Sequence, residues 1–126
     1  MSNDMLYLNE DGDQYAVLVS RGFGAGWSTW NPSRRFAYDK RVIELYLSGF
    51  KLARPNRDFL PEEREQLERV FHDGLGYTIS QLYFGGWNDL ELVWVSFGVY
   101  WRITEYDGSE RIEFLDIEND YTCFNK

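Results

Sequence analysis

Apolar positions run together or alternate at both ends of the chain and recur at helical spacing in the middle. Met5-Leu6-Tyr7-Leu8 is a short apolar run, Asp11-Gly12 follows, and Tyr15-Ala16-Val17-Leu18-Val19 comes next. Asp-Gly between two apolar runs signals a hairpin, because glycine accepts the positive φ of a tight turn. The pattern predicts strands over 5–9 and 14–20. The second is almost continuously apolar, so it is expected to be central and buried on both faces. Downstream, Phe36, Val42, Ile43, Tyr46, Leu47 and Phe50 recur with a helical period. Asn31 is placed to cap that helix, Pro32 suits its first turn and Gly49 its stop. Lys51 to Asp58 reads as a loop. Pro61-Glu62-Glu63 opens a second helix with acids at the favourable end of its dipole. Leu67, Val70 and Phe71 form its stripe, and Gly74 and Gly76 end it.

Residues 77–126 read as a β-meander, with strands over 78–84, 90–95, 99–106 and 110–117. The turns fall at Gly85-Gly86, Phe97-Gly98 and Asp107-Gly108. A two-residue loop at Asp107-Gly108 sets the pairs Tyr106–Ser109, Ile103–Ile112 and Trp101–Phe114, read as one apolar face. Arg102–Glu113 and Thr104–Arg111 are read as the solvated face. The same register sets Glu105 against Glu110, a like-charge pair. Either the two carboxylates splay into water beside the turn, or they hold a cation or an arginine of a partner. The assembled expectation is α+β, a mostly antiparallel sheet with two helices packed on one face, residues 1–126 forming a single domain.

Composition adds a surface to this picture. The chain has 126 residues, of which 18% are aromatic. That is more ring than a core of this size needs, so some rings are expected outside, where they favour binding or self-association. Net charge is −8. It is unevenly spread: residues 21–76 carry ten bases against eight acids, residues 77–126 three against nine. The acidic C-terminal part disfavours direct contact with duplex nucleic acid and suits a basic protein partner, although solubility alone also accounts for it. Cys123 is the single cysteine, which rules out an internal disulfide and a multi-cysteine zinc site and reads as a reduced, cytoplasmic chain. Met1 to Asp4 lacks a basic region followed by an apolar run, and no apolar stretch approaches transmembrane length, so neither a signal peptide nor a membrane is expected.

No catalytic constellation stands out. His72 is the one histidine; Asp73 is beside it, but no serine or cysteine is placed as its nucleophile. The tail acids Asp116, Glu118 and Asp120 lack the calcium-loop pattern. No cofactor and no metal are expected.

The distinctive segment is Arg21-Gly22-Phe23-Gly24-Ala25-Gly26-Trp27-Ser28-Thr29-Trp30-Asn31-Pro32. Glycines at every second position let the backbone turn tightly or approach another group closely. Neither dinucleotide nor P-loop spacing fits. One reading is a glycine-rich turn that folds Trp27 and Trp30 back on the sheet. The other is a ligand or partner loop, in which Arg21, Gly22, Gly24 and Gly26 act with Arg34, Arg35 and Arg41 on a small ligand or nucleotide by charge plus stacking.

Tyr15 to Trp30, with its Gly22-Phe23-Gly24-Ala25-Gly26-Trp27-Ser28-Thr29-Trp30-Asn31 block, resembles a family of small proteins encoded by bacteriophages and prophages. Arg102 to Glu110 and Tyr83-Phe84-Gly85-Gly86-Trp87 resemble it more weakly. The resemblance carries over no functional residue. It implies a context: small acidic phage proteins often bind and block host machinery, including defence systems such as CRISPR effectors. The leading expectation is therefore a non-enzymatic protein that inhibits or redirects a host protein, with Trp27, Trp30 and Trp87 as anchors and Glu105, Asp107, Glu110 and Glu113 as an acidic rim. A small-ligand or nucleotide binder and a structural homo-oligomer are the alternatives.

Overall fold

A computed structural model describes residues 4–55, 58–115 and 121–126. Among the described residues four strands are arranged as two antiparallel pairs, with two helices, which makes the chain α+β. Strand β1 (Gln14–Ser20) pairs with β2 (Leu90–Ser96), and β3 (Tyr100–Tyr106) pairs with β4 (Ser109–Leu115). Helix α1 spans Lys40–Leu47 and α2 spans Pro61–Leu67.

β1 is buried on both faces, as its continuous apolar run requires. Ala16 and Leu18 join a core on one face with Val42, Ile43 and Leu45 of α1 and Leu67 of α2. Tyr15, Val17 and Val19 join a second core on the other face, with Val95, Trp101, Ile103 and Phe124. Both helices thus pack on one side of β1, and the β3–β4 hairpin closes the other. Segment 5–9 is not a full strand. It touches β1 through the Leu8–Tyr15 bridge, and its Leu6 bridges to Asp39.

The meander is split. β2 turns away from its sequence neighbours to pair with β1, leaving β3 and β4 as a separate pair. Residues 78–84 form no strand. A short 3-10 turn occupies Ile79–Gln81, and Tyr83 exchanges backbone hydrogen bonds with the Asn31 side chain: Tyr83 N donates to Asn31 Oδ1 at 2.9 Å, and Asn31 Nδ2 donates to Tyr83 O at 2.8 Å. Asn31 is therefore a cross-link and not a helix cap. The first helix starts later, after a 3-10 turn at Arg34–Ala37. Its cap is Asp39, whose carboxylate accepts from Arg41 N at 2.9 Å. α2 continues beyond Leu67 in a wider π-type turn over Glu68–Gly74, which keeps Phe71 in the core.

The β3–β4 register is the one the Asp107-Gly108 turn dictates, from Tyr106–Ser109 to Trp101–Phe114. The assignment of faces needs correction. Side chains alternate with a period of two, so Tyr106 shares a face with Arg102 and Thr104, while Glu105 and Glu110 share one with Trp101 and Ile103. Tyr106 is accordingly exposed and Glu110 buried. Positions 116 and 117 of the expected last strand, and the acids Asp116, Glu118 and Asp120, lie outside the described residues.

Candidate functional site

Loop 21–31 leaves the end of β1, crosses the tip of the β3–β4 hairpin and enters the core at Trp27. Its course is dictated by Glu110, whose side chain is only 1% exposed. Glu110 Oε1 accepts from Ser20 N at 2.9 Å. Its Oε2 accepts from Trp27 N at 2.8 Å, Thr29 N at 3.1 Å and Thr29 Oγ1 at 2.5 Å. One carboxylate thus gathers three backbone N–H groups from both ends of the loop. Charge-assisted bonds of this kind make burial of the anion tolerable.

The glycines serve close backbone approach. Gly24 N donates to Asp107 O at the hairpin tip. A Cβ on Gly108 would lie 2.5 Å from Ala25 N, and one on Gly86 would lie 2.5 Å from Gly26 O. The loop is therefore clamped between two other glycines. Ser20 Oγ donates to Ala25 O at 2.5 Å and Ser109 Oγ to Arg21 O at 2.9 Å, closing its edges.

Three of the expected contact residues sit inside the fold. Trp27 and Trp87 are fully buried, their rings 5.3 Å apart, and Trp27 also packs on Phe36, Phe71 and Phe84. Trp27 Nε1 donates to Phe36 O and Trp87 Nε1 to Phe50 O, each at 2.9 Å. Such rings hold the core together and offer nothing to a partner. Glu110, the third, is the loop's internal anion. Glu113 is bound to Arg102 at 3.0 Å, with the Arg102 guanidinium over the Tyr121 ring. Glu105 accepts from Gly108 N at 2.8 Å and stays exposed, as does Asp107. Trp30 is partly exposed against Tyr83, ring centroids 5.1 Å apart.

The arginines are spent within the chain. Arg41 makes a two-pronged contact with buried Asp39, Nε to Oδ1 and Nη2 to Oδ2, each 3.1 Å, and its Nη1 donates to Gly74 O at 2.6 Å. The Asp39 carboxylate raises the Arg41 pKa further. Arg35 Nη2 reaches Asp39 Oδ2 at 3.1 Å. Arg34 donates to Ser28 O and lines a cavity of about 230 Å³ with Trp101, Arg102, Ile103 and Thr122. Arg21 pairs with Glu91 at 3.2 Å. Of the expected basic ligand cluster, Arg35 and Arg41 meet on the Asp39 carboxylate, while Arg34 and Arg21 are held in separate contacts. The loop donors Trp27 N and Thr29 N, which a phosphate would need, already hold Glu110.

The residues missed in the sequence are Phe23 and Tyr106, 71% and 76% exposed. Their rings meet edge to face with centroids 6.5 Å apart, Phe23 on the loop and Tyr106 at the hairpin tip. Strict alternation from Trp101 would have pointed Tyr106 outward. His72 lies elsewhere, exposed, its Nδ1 3.0 Å from Asp73 Oδ1, and that bond raises its pKa. Among the described residues, no group of three or more His, Cys, Asp or Glu side chains could hold a metal ion, and no helix is long and apolar enough to cross a membrane. No protein-family model, curated protein or solved structure matches this chain.

Proposed function

We propose that the chain acts by binding another protein through the tip where loop 21–31 meets the β3–β4 turn. The observation that carries this is the exposed Phe23–Tyr106 pair on a backbone tied down by Glu110, Gly86 and Gly108. Large rings held in place before contact lose little freedom on binding, which is what interface hot spots exploit. Glu105 and Asp107 flank the pair and supply the acidic rim, so the partner presents apolar pockets bordered by basic side chains. Trp30 and Tyr83 extend the aromatic surface: the Tyr83 hydroxyl lies 3.5 Å from Gly24 O. The resemblance to phage-encoded proteins supports a host protein as the partner, inhibited or redirected by occupancy of its basic surface.

The test is affinity capture from host lysate with the wild-type chain, followed by affinity measurement on the captured protein. Phe23→Ala with Tyr106→Ala is expected to weaken binding at least about tenfold, the size of a hot-spot loss. Added salt is expected to slow association by screening the acidic rim. Unchanged affinity in the double variant would sink the proposal.

A further inference from the structure

β2 has one partner strand; on its other edge the Tyr46 hydroxyl donates to Leu90 O at 3.2 Å and Val99 N to Ser96 O at 3.4 Å, and the stretch between these two ends has no partner strand among the described residues. The direction of its backbone groups follows from β1. Asn9 N donates to Gln14 O, and Ala16 N donates to Tyr7 O. Gln14 and Ala16 thus turn their backbone groups away from β2, so Tyr15, Val17 and Val19 turn theirs toward it. Their partners are Val95, Val93 and Glu91. Leu92 and Trp94 therefore point N–H and C=O outward, and neither meets a backbone partner among the described residues. Natural edges of this kind are guarded by lysine, proline, a bulge or a covering element. This strand, Leu90-Glu91-Leu92-Val93-Trp94-Val95-Ser96, has no lysine, no proline and an unbroken register. Its single charge, Glu91, is matched by Arg21 within the chain.

We propose that this edge pairs with β2 of a second copy, in antiparallel fashion about a two-fold axis at Val93. In that register Leu92 lies opposite Trp94 of the second copy and Trp94 opposite its Leu92, each pair exchanging two backbone hydrogen bonds. Two other features fit. Trp94, 39% exposed beside Tyr7, gains a leucine neighbour on its own face. Glu91 falls opposite a valine and avoids its own copy, so the strip that meets is electrically neutral although each chain carries −8. A general peptide-binding edge has no need of this self-complementarity. One strand pair buries less than the ~1,000 Å² of a stable interface, so the dimer is weak and forms at high concentration. It does not rest on the aromatic tip, since neither Phe23 nor Tyr106 belongs to β2.

Sedimentation equilibrium from micromolar to millimolar protein tests this, together with residue-resolved amide hydrogen exchange. The mass is expected to rise from 15.0 kDa toward twice that, and to rise further with salt, which screens repulsion between the two acidic chains. The Leu92 and Trp94 amides are expected to exchange more slowly as protein concentration increases. Trp94→Lys abolishes both effects with its thermal melt retained, whereas Phe23→Ala with Tyr106→Ala leaves them intact. A constant monomer mass at millimolar protein and raised salt overturns the proposal. So does a dimer indifferent to Trp94→Lys, or one lost with the tip variant. Slowed exchange at these amides caused only by an added strand-forming peptide also overturns it.

Discussion

Removing the Glu110 carboxylate exposes how the loop is held. In Glu110→Ala the N–H groups of Ser20 and Trp27, both on fully buried residues, lose their acceptor together with Thr29 N and Thr29 Oγ1. A buried donor left unpaired costs about 1–3 kcal/mol. Water can reach the half-buried Thr29 end, so the two buried donors set the scale, at about 2–6 kcal/mol in total. That is a large share of the ~5–15 kcal/mol that stabilises a domain. Glu110→Gln keeps one oxygen for the Trp27 and Thr29 side but turns an NH₂ toward Ser20 N, so about half of that loss is expected. Glu105→Ala is the control. It removes one part-buried bond, to Gly108 N, against the four that Glu110 accepts, and is expected to cost about 1 kcal/mol. Urea denaturation of the three variants measures these values. The reasoning fails if Glu110→Ala is no more damaging than Glu105→Ala.

Two further outcomes follow from close approach and burial. Gly86→Ala forces a methyl against the Gly26 and Ala25 carbonyl oxygens, at 2.5 and 2.8 Å, and is expected to cost about 1–3 kcal/mol by overpacking. Gly24→Ala meets only its left-handed backbone, φ +80° with open space around it, at about 1 kcal/mol; equal losses on denaturation would refute the clamp. Burial pushes the Tyr15 hydroxyl up to about 12 from 10.0. The folded chain keeps this proton after the unfolded chain has lost it, so stability is full below pH 10.0 and falls as pH rises toward about 12. Tyr15→Phe is expected to flatten that alkaline slope in unfolding measured across the window, and an unchanged slope would contradict the assignment.

Local signals were legible and distant ones were not. The β3–β4 register followed from two residues, Asp107 and Gly108, because a two-residue loop leaves one pairing. β1 followed from its apolar run. The pairing of β2 with β1 joins Leu90 to Ser20 across the helical half of the chain, and no local pattern encodes it. The helix start was misplaced because Asn31-Pro32 carries a cap signal that the fold spends on Tyr83. For the candidate site, glycine spacing marks a segment of close backbone approach but not the Glu110 carboxylate it wraps around. Glu110 carries a surface-type charge at a pleat position that faces inward with Trp101 and Ile103. Trp27 and Trp87 looked like anchors because tryptophan suits an interface and a core equally well, and only burial separates the two.

The Glu110 contact also sets an order of events. A chain leaves the ribosome from its N-terminus, so residues 21–29 emerge long before the carboxylate they depend on. Ser20 and Glu110 are 90 positions apart, and Asp107, the other tether of the loop, is nearly as late. Until the C-terminal hairpin has been synthesised, the glycine-rich segment has no internal anion to wrap around and Phe23 has no Tyr106 to meet. The aromatic tip therefore cannot be assembled early in translation, and a prematurely terminated chain would carry the loop without its shape.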